Sequence, residues 1–168
     1  MNQNETDDLI TLRAPTSKDG AAAYKLIEQC PPLDTNSMYC NLLQSSHFSS
    51  TSVAAELDGK IVGFISAYLL PDNPQTLFIW QVAVGEEARG KGLASRMLKN
   101  ILNRTATKSV TFIETTITPD NKASWALFES LAKKLDAPLN STVMFERDAH
   151  FAGEHETEML VKIGPFEL

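Results

Sequence analysis

A basic, glycine-rich segment between a β-rich run and an amphipathic helix is the part of the sequence best suited to chemistry. Residues 89–94 are Arg-Gly-Lys-Gly-Leu-Ala. The glycines allow main-chain amides to approach a ligand closely, and the helix that begins near Leu93 offers unpaired N–H groups. Arg89 and Lys91 add positive charge next to the positive end of the helix dipole. The segment therefore predicts a binding site for an anion such as a phosphate.

The order of residues in this loop differs from that of the commonest nucleotide-binding loops. It has neither the Gly-x-x-x-x-Gly-Lys-Ser/Thr of P-loop hydrolases nor the Gly-x-Gly-x-x-Gly of dinucleotide-binding folds. It resembles the Arg/Gln-x-x-Gly-x-Gly/Ala motif of the GNAT N-acetyltransferases, with Arg89, Gly92 and Ala94 at the motif positions. A glycine loop alone can also be a simple turn, so the order of the surrounding elements matters.

The elements around the loop are those of a mixed α/β domain. Hydrophobic periodicity and turn residues predict the order β-α-α-β-β-β-α-β-α-β-β, with a hairpin turn at Asp58-Gly59 and loops at Pro71–Pro74 and Thr118–Asn121. This order also resembles the GNAT fold, a central mixed, mostly antiparallel, twisted sheet flanked by helices. We expect a single domain over residues 9–168 after a disordered polar tail at 1–8. The predicted strands are 9–13, 52–57, 61–69, 76–84, 110–115, 141–146 and 156–163, and the predicted helices are 19–29, 36 or 37 to 44, 93–102 and 122–135, the last with Ala123, Leu127, Leu131 and Leu135 on one face.

The GNAT resemblance implies acetyl-CoA as co-substrate, with no metal and no covalent enzyme intermediate. It implies that the strand before the loop has a bulge, where main-chain amides near Val82 bind the pantetheine arm and the oxyanion of the reaction. It also matches Asn121 to the start of a motif helix that here ends in Phe128, where the family has a tyrosine often proposed as the acid. The positions that the resemblance assigns to acetyl-CoA are Val82, Ala83, Val84, Arg89, Gly90, Lys91, Gly92, Leu93, Ala94, Ser95 and Asn121.

Residues outside this motif point to the amine that accepts the acetyl group. The segments Pro31-Pro-Leu-Asp34, Phe78-Ile-Trp-Gln81 and His155-Glu-Thr-Glu158 resemble those of the L-2,4-diaminobutyrate acetyltransferases of ectoine synthesis. That resemblance covers nearly the whole chain after the tail. It implies acetylation of the γ-amine of L-2,4-diaminobutyrate, and it implies a homodimer. The rival hypotheses are a GNAT enzyme for a polyamine, an aminoglycoside or a peptide N-terminus, and a non-catalytic acyl-CoA-binding module.

Carboxylates and aromatic rings are the side chains suited to a substrate with two ammonium groups. Asp34, Glu114 and Glu158 are the candidates for binding an ammonium group, and Tyr39 and Trp80 are candidates for the pocket wall. The base that deprotonates the amine is expected to be Glu158 first, with Glu114 and His155 as alternatives. Asp34 could equally be a turn or cap residue, the two glutamates could be solvated, His155 could be structural, and the aromatic residues could be core.

The composition narrows the possible partners and the location. A formal net charge of −6 disfavours binding to nucleic acid or anionic lipid, which select basic surfaces. The start of the chain is polar and acidic, and apolar runs are short, so we expect a cytoplasmic protein without membrane attachment. Cys30 and Cys40 are expected to be reduced thiols.

Overall fold

The computed structural model describes residues 9–168, so the expected tail at 1–8 lies outside the described residues. Within that range the chain forms strands and α-helices in the order β-α-α-β-β-β-α-β-α-β-α-β. The strands are β1 (Thr11–Arg13), β2 (Val53–Leu57), β3 (Lys60–Leu70), β4 (Asn73–Val84), β5 (Phe112–Ile117), β6 (Leu139–Phe145) and β7 (Glu158–Ile163). The helices are α1 (Gly20–Glu28), α2 (Met38–Ser46), α3 (Leu93–Leu102), α4 (Lys122–Lys134) and α5 (Arg147–Phe151).

The strands form one mixed sheet in the order β1-β2-β3-β4-β5-β7-β6. Pairing is antiparallel for β1–β2, β2–β3, β5–β7 and β6–β7, and parallel for β4–β5. The prediction of a mixed, mostly antiparallel sheet is therefore confirmed. The described residues group into two compact units, one up to Tyr68 with Trp80–Lys108 and the other Leu69–Ile79 with Ser109–Leu168. A single domain over 9–168 stays a prediction.

Two of the three helices in the first unit, α1 and α3, contribute apolar residues to its core. Helix α1 packs Ala23, Leu26 and Ile27 with Phe64 and Ala83. Helix α3 buries one apolar face, as the helical spacing predicts, and Gly63 of β3 leaves space for a methionine of that helix, because a Cβ there would lie 3.0 Å from the sulfur atom. The buried residues of α3 are Leu93, Met97, Leu98, Ile101 and Leu102. These contacts fix the start of α3, where the glycine loop ends.

A partly buried ion network joins β1 to the segment that leads into α1. Arg13 donates to both carboxylate oxygens of Asp19, at 2.8 and 2.9 Å, and also to Glu56 of β2. Asp19 accepts a further hydrogen bond from the main-chain N–H of Thr16 at 2.7 Å. The hydrogen bonds from Arg13 hold the pKa of Asp19 below its ordinary value. The network therefore stabilises the folded chain when Asp19 is ionised.

The second unit corrects the predicted buried face of α4. The helix buries Phe128, Leu131 and Ala132, whereas Ala123 is exposed and Leu127 and Leu135 are partly exposed. The buried face is rotated toward Phe128 because the large ring gains more from burial than the methyl group of Ala123. Phe128 is thus an ordinary core residue.

Several element boundaries differ from the predictions, and one helix was not predicted. The expected loop Pro71–Pro74 is a two-residue turn, and β4 already begins at Asn73, since a proline is tolerated near the start of a strand. The strand near 141–146 begins at Leu139. The acidic connection before β7 contains the unpredicted helix α5, where His150 accepts a hydrogen bond from the N–H of Glu146 at 2.9 Å.

Both cysteines are free thiols in the described chain. Cys30 is buried and its sulfur donates to the carbonyl of Val84 at 3.5 Å. Burial raises the pKa of the half-buried Cys40 thiol. The expectation of two thiols without a disulfide is consistent with this geometry.

Candidate active site

The glycine loop ends in a helix start that has no side-chain cap. Gly90 and Gly92 have positive φ angles of 72° and 69°, which favour glycine. Gly92 is the N-cap of α3 and makes no side-chain capping bond, and the N–H of Arg96 donates to its carbonyl at 3.1 Å. The N–H groups of Leu93, Ala94 and Ser95, which lie between Gly92 and Arg96, therefore come before the first hydrogen bond of the helix. An anion can bind where Ser, Thr or Asp would normally cap.

The space and charge around this helix start fit a pyrophosphate. A Cβ added at Gly90 or Gly92 would meet no atom within 4 Å, so the loop surface is open at both positions. The side chain of Arg89 donates through Nε to the carbonyl of Val84 at 3.0 Å, which links the loop to the end of β4. Arg89 keeps its terminal guanidinium nitrogens for an anion, and Lys91 is the second cation of the loop. This part of the chain therefore fits the diphosphate of coenzyme A.

The end of β4 continues beyond its pairing with β5. The parallel pairing of β4 with β5 covers Thr76–Ile79, whereas β4 continues to Val84. Just after the strand, the N–H of Gly85 donates to the carbonyl of Val62 in β3 at 2.8 Å. In a regular strand the neighbouring Val84, and with it Val82, directs its main-chain groups to the opposite edge. These are the two positions matched to the pantetheine arm, whereas the Ala83 side chain packs in the core.

The segment around Asp34 is a turn without regular secondary structure that leads into α2. Ser37 is the N-cap and accepts from the N–H of Cys40 at 3.0 Å, so the predicted cap is confirmed at Ser37. One carboxylate oxygen of Asp34 accepts from the N–H of Asn36 at 3.1 Å. Asp34 is exposed. One carboxylate oxygen of Asp34 thus has the role expected of a turn residue, and the other oxygen stays available to a ligand.

Two buried amide side chains that the sequence did not single out hold this segment. Gln81 of β4 donates through Nε2 to the carbonyl of Asp34 at 2.5 Å. Asn41 of α2 donates through Nδ2 to the carbonyls of Thr35 at 3.3 Å and Ser37 at 3.0 Å. A signal for Gln81 exists in the sequence, since it is a polar residue inside an apolar β-run, but its partner is distant along the chain.

Aromatic side chains of the first unit lie on β3, β4 and α2, and Trp80 is on the face of β4 opposite to Gln81. Trp80 is 39% exposed and contacts the ring of Tyr68 edge-on, with a centroid distance of 6.3 Å. Tyr68 in turn lies 5.4 Å from the ring of Phe48, and burial raises the pKa of its hydroxyl. Tyr39 is 69% exposed on α2. Trp80 and Tyr39 are thus surface aromatics, as a pocket wall requires, and Tyr68 is an aromatic residue that the sequence analysis missed.

The candidate carboxylates of the second unit have cationic or ionisable neighbours. Glu114 of β5 lies opposite Lys162 of β7, with Oε1 and Nζ 3.6 Å apart. The Oε1 atom of Glu158 lies 3.8 Å from Nε2 of His155. His155 also has Nδ1 2.7 Å from the carbonyl of Glu156. Glu158 and His155 are therefore brought together, in line with their shared candidacy for proton transfer.

The sheet register separates the two glutamates. Glu114 pairs with Lys162, and Glu158 lies four residues before Lys162 on the same strand. Four residues along a strand span about 13 Å. Side chains with this spacing share a face of the sheet but do not meet at one atom. Glu114 and Glu158 are therefore alternatives for the base and cannot act together on one amine.

Asn121 caps α4, where its side-chain oxygen accepts from the N–H of Ser124 at 3.2 Å. Its predicted contact with acetyl-CoA would have to use the amide nitrogen of the same side chain.

Across residues 9–168, the structure contains no cluster of three or more His, Cys, Asp or Glu residues able to hold a metal ion. In the same range there is no helix long and apolar enough to cross a membrane.

An uncapped helix start after a basic glycine loop, at the end of a strand that continues past its pairing with β5, is the arrangement expected of acetyl-CoA-dependent acetyltransferases. The sequence model of the acetyltransferase (GNAT) family matches residues 20–132, and the chain belongs to this family. It is 64% identical to the L-2,4-diaminobutyric acid acetyltransferase of Methylotuvimicrobium alcaliphilum over 159 residues, which cover 95% of this chain and 92% of the relative.

Two further comparisons point to the same particular enzyme. The L-2,4-diaminobutyric acid acetyltransferase of Vibrio parahaemolyticus is 54% identical over 155 residues, covering 90% of this chain and 83% of the relative. The structure of diaminobutyrate acetyltransferase EctA from Paenibacillus lautus, in complex with L-2,4-diaminobutyric acid and coenzyme A, matches with a TM-score of 0.90 and 42% identity. That match covers 95% of this chain and 96% of the solved chain.

Proposed function

We propose that this protein transfers the acetyl group of acetyl-CoA to the γ-amine of L-2,4-diaminobutyrate, giving Nγ-acetyl-2,4-diaminobutyrate in ectoine biosynthesis. The observation that carries the proposal is the 64% identity, over 95% of the chain, to a relative named for this activity. The structural match to an enzyme bound to the same amine and to coenzyme A supports it. The open, uncapped start of α3 supports acetyl-CoA as the donor.

The reaction requires removal of a proton from the γ-ammonium group before attack. An alkylammonium group has a pKa of about 10.4, so it is almost wholly protonated at pH 7. Glu158 accepts this proton, directly or through water, and His155 at 3.8 Å can relay it. The side chain of Glu158 is 19% exposed, so water and substrate can reach its carboxylate.

The free amine then attacks the thioester carbon, and the main-chain N–H of Val82 stabilises the negative charge that develops on the carbonyl oxygen. The C–N bond forms, the C–S bond breaks, and the electron pair leaves with the thiolate of coenzyme A. The attacking nitrogen then loses its second proton to that thiolate or to solvent, which gives the neutral amide. Phe128 is 2% exposed in the core and has no proton to give. An alkyl thiol has a pKa of about 8.5, so its anion leaves without a dedicated acid.

Mass spectrometry of the product, with fragmentation that locates the acetyl group, tests the proposal. The expected product carries one acetyl group on the γ-nitrogen. Turnover of diaminobutyrate no faster than that of ornithine, lysine or a polyamine would indicate a different acceptor. Binding of acetyl-CoA without release of free thiol, whatever the amine, would instead favour a non-catalytic module.

We also propose that two copies form a homodimer through β6. This strand lies at one end of the strand order, and from Asn140 to Phe145 every residue is exposed. Val143, Met144 and Phe145 are 51%, 39% and 38% exposed, and the strand carries no charged residue. Uncharged, apolar edge strands of soluble proteins are normally paired or covered. A second copy of the same neutral strand can pair with it without charge repulsion.

Sedimentation at micromolar concentration tests the dimer. We expect a dimer for the unmodified protein and a shift toward monomer for Val143→Lys, because a lysine on an edge strand opposes pairing. A monomer at this concentration without the substitution would contradict the proposal. The cytoplasmic location stays an expectation from the sequence, and cell fractionation checks it.

A further inference from the structure

Helix α2 buries a polar face. Its buried residues are Asn41, Gln44 and Ser45, with relative exposures of 0%, 1% and 0%. Helices normally bury an apolar stripe against their neighbours. Within the described part of the chain, Asn41 Oδ1, both polar atoms of the Gln44 amide and Ser45 Oγ have no hydrogen-bond partner. Such groups are costly to bury, so packing alone does not account for the face.

Asn41 shares an unusual arrangement with Gln81. Each amide nitrogen donates to the segment 34–37, Gln81 to the Asp34 carbonyl and Asn41 to the Thr35 and Ser37 carbonyls. Each amide oxygen, in contrast, is buried without a partner among the described residues. An apolar side chain of the same size would avoid burying that oxygen. The N–H donors are therefore the useful part of both side chains.

The segment that they hold depends on such contacts. Residues 34–37 have no regular secondary structure, and the further bond to the Asp34 carbonyl comes from within the segment, from Asn36 Nδ2 at 3.4 Å. Gln81 attaches the segment to β4, and Asn41 attaches it to α2. Because Asp34 is exposed, its carboxylate is held, among the described residues, only by the N–H of Asn36, which belongs to the same segment, so its position depends on where the segment lies.

We propose that Gln81 and Asn41 are positioning residues for the amine substrate, which fix the main chain so that Asp34 presents its free carboxylate oxygen to the α-ammonium group. This inference rests on the proposed function. A fixed α-end leaves the γ-amine as the group that reaches the thioester, so regiochemistry depends on the two amides through Asp34. Neither amide is a catalytic residue.

Gln81→Met and Asn41→Leu test the inference, since both keep the size of the side chain and remove the donor. Gln81→Met removes one bond to the segment and Asn41→Leu removes two. Loss of one such bond predicts a KM for diaminobutyrate raised about three- to tenfold, loss of two predicts at least as large a rise, and the KM for acetyl-CoA should be unchanged in both variants. Some Nα-acetylated product is also expected. Gln44→Met is the matched control, because Gln44 is buried on the same helix face without a bond to the segment, and it should leave KM and regiochemistry unchanged.

A double-mutant cycle with Asp34→Asn distinguishes positioning from a general structural role. If Gln81 acts through Asp34, the double variant should have nearly the same KM as Asp34→Asn alone. Additive effects, or an unchanged KM in Gln81→Met and Asn41→Leu whatever their melting temperatures, would overturn the inference. If the inference fails in either way while the unmodified protein acetylates only the γ-nitrogen, the proposed function is still supported. Failure of the unmodified protein to acetylate diaminobutyrate would remove both.

Discussion

Gly92→Ala is the sharpest test of the acetyl-CoA site. Gly92 has a φ of 69° and caps α3, and an added Cβ would meet no protein atom within 4 Å. The substitution therefore causes no clash in the free protein. It does place a methyl group where the loop surface is open to the pyrophosphate, next to the N–H groups of the first helical turn. Its effect on binding is thus separable from its effect on folding.

Gly59 provides a matched control for the backbone cost. It has a φ of 77° in the β2–β3 turn, and an added Cβ there also meets nothing within 4 Å. Forcing alanine into this left-handed region costs about 1 kcal/mol at either position. For a chain of 168 residues that corresponds to a fall in Tm of about 2–4 °C. Gly59→Ala and Gly92→Ala should therefore lose similar stability.

Only Gly92→Ala should weaken the binding of acetyl-CoA. Loss of one charge-assisted hydrogen bond to the pyrophosphate is worth about 1.5–3 kcal/mol, or a Kd raised roughly 10- to 100-fold. Thermal unfolding measures the shared penalty, and isothermal titration with coenzyme A measures the specific one. If both variants bind coenzyme A with equal affinity, the start of α3 does not bind the pyrophosphate.

Three further predictions concern other charged residues. Arg89→Ala should weaken the binding of acetyl-CoA by about 1.5–3 kcal/mol, measured by titration, with little effect on the KM for the amine. An unchanged affinity for acetyl-CoA would show that Arg89 does not contact the phosphates. The hydrogen bonds from Arg13 lower the pKa of Asp19 in the folded protein. The Arg13–Asp19 pair therefore stabilises the fold fully above the unfolded pKa of about 3.9, and this stability is lost as the pH falls through the lower pKa of the folded state. Urea unfolding should thus show Asp19→Asn about 1 kcal/mol less stable at pH 7, with the difference vanishing at acid pH, whereas a constant difference would contradict the argument. Glu158→Gln should lower kcat at least about 100-fold and change its pH profile, and the same result for Glu114→Gln instead would reassign the base.

Features encoded by neighbouring residues were predictable from the sequence. The Asp58-Gly59 turn is one, because both residues adopt the positive φ angles that this pair favours in a two-residue hairpin. The start of α3 at Leu93 is another, since an apolar face at helical spacing follows the glycines directly. In both cases the determining interactions lie within a few residues of each other.

Features that depend on distant partners were not predictable in the same way. Gln81 and Asp34 are 47 positions apart, so nothing local indicates that the glutamine holds the aspartate segment. Helix α5 has only five residues, too few for a hydrophobic period, and contacts such as that between Phe145 and His150 hold it. The buried face of α4 was assigned one position away from Phe128, because periodicity does not say which of two adjacent faces meets the core.

The donor site and the amine site differ in how the sequence encodes them. Apart from Asn121, the proposed acetyl-CoA site uses residues at the end of β4, in the glycine loop and in the first turn of α3, so most of it is encoded in one short stretch of chain. The Asp34 segment depends instead on side chains from α2 and β4. Substitutions at Asn41 or Gln81 can therefore alter the choice of amine while the donor site stays intact. Variants at these positions should differ in amine preference and keep one common affinity for acetyl-CoA.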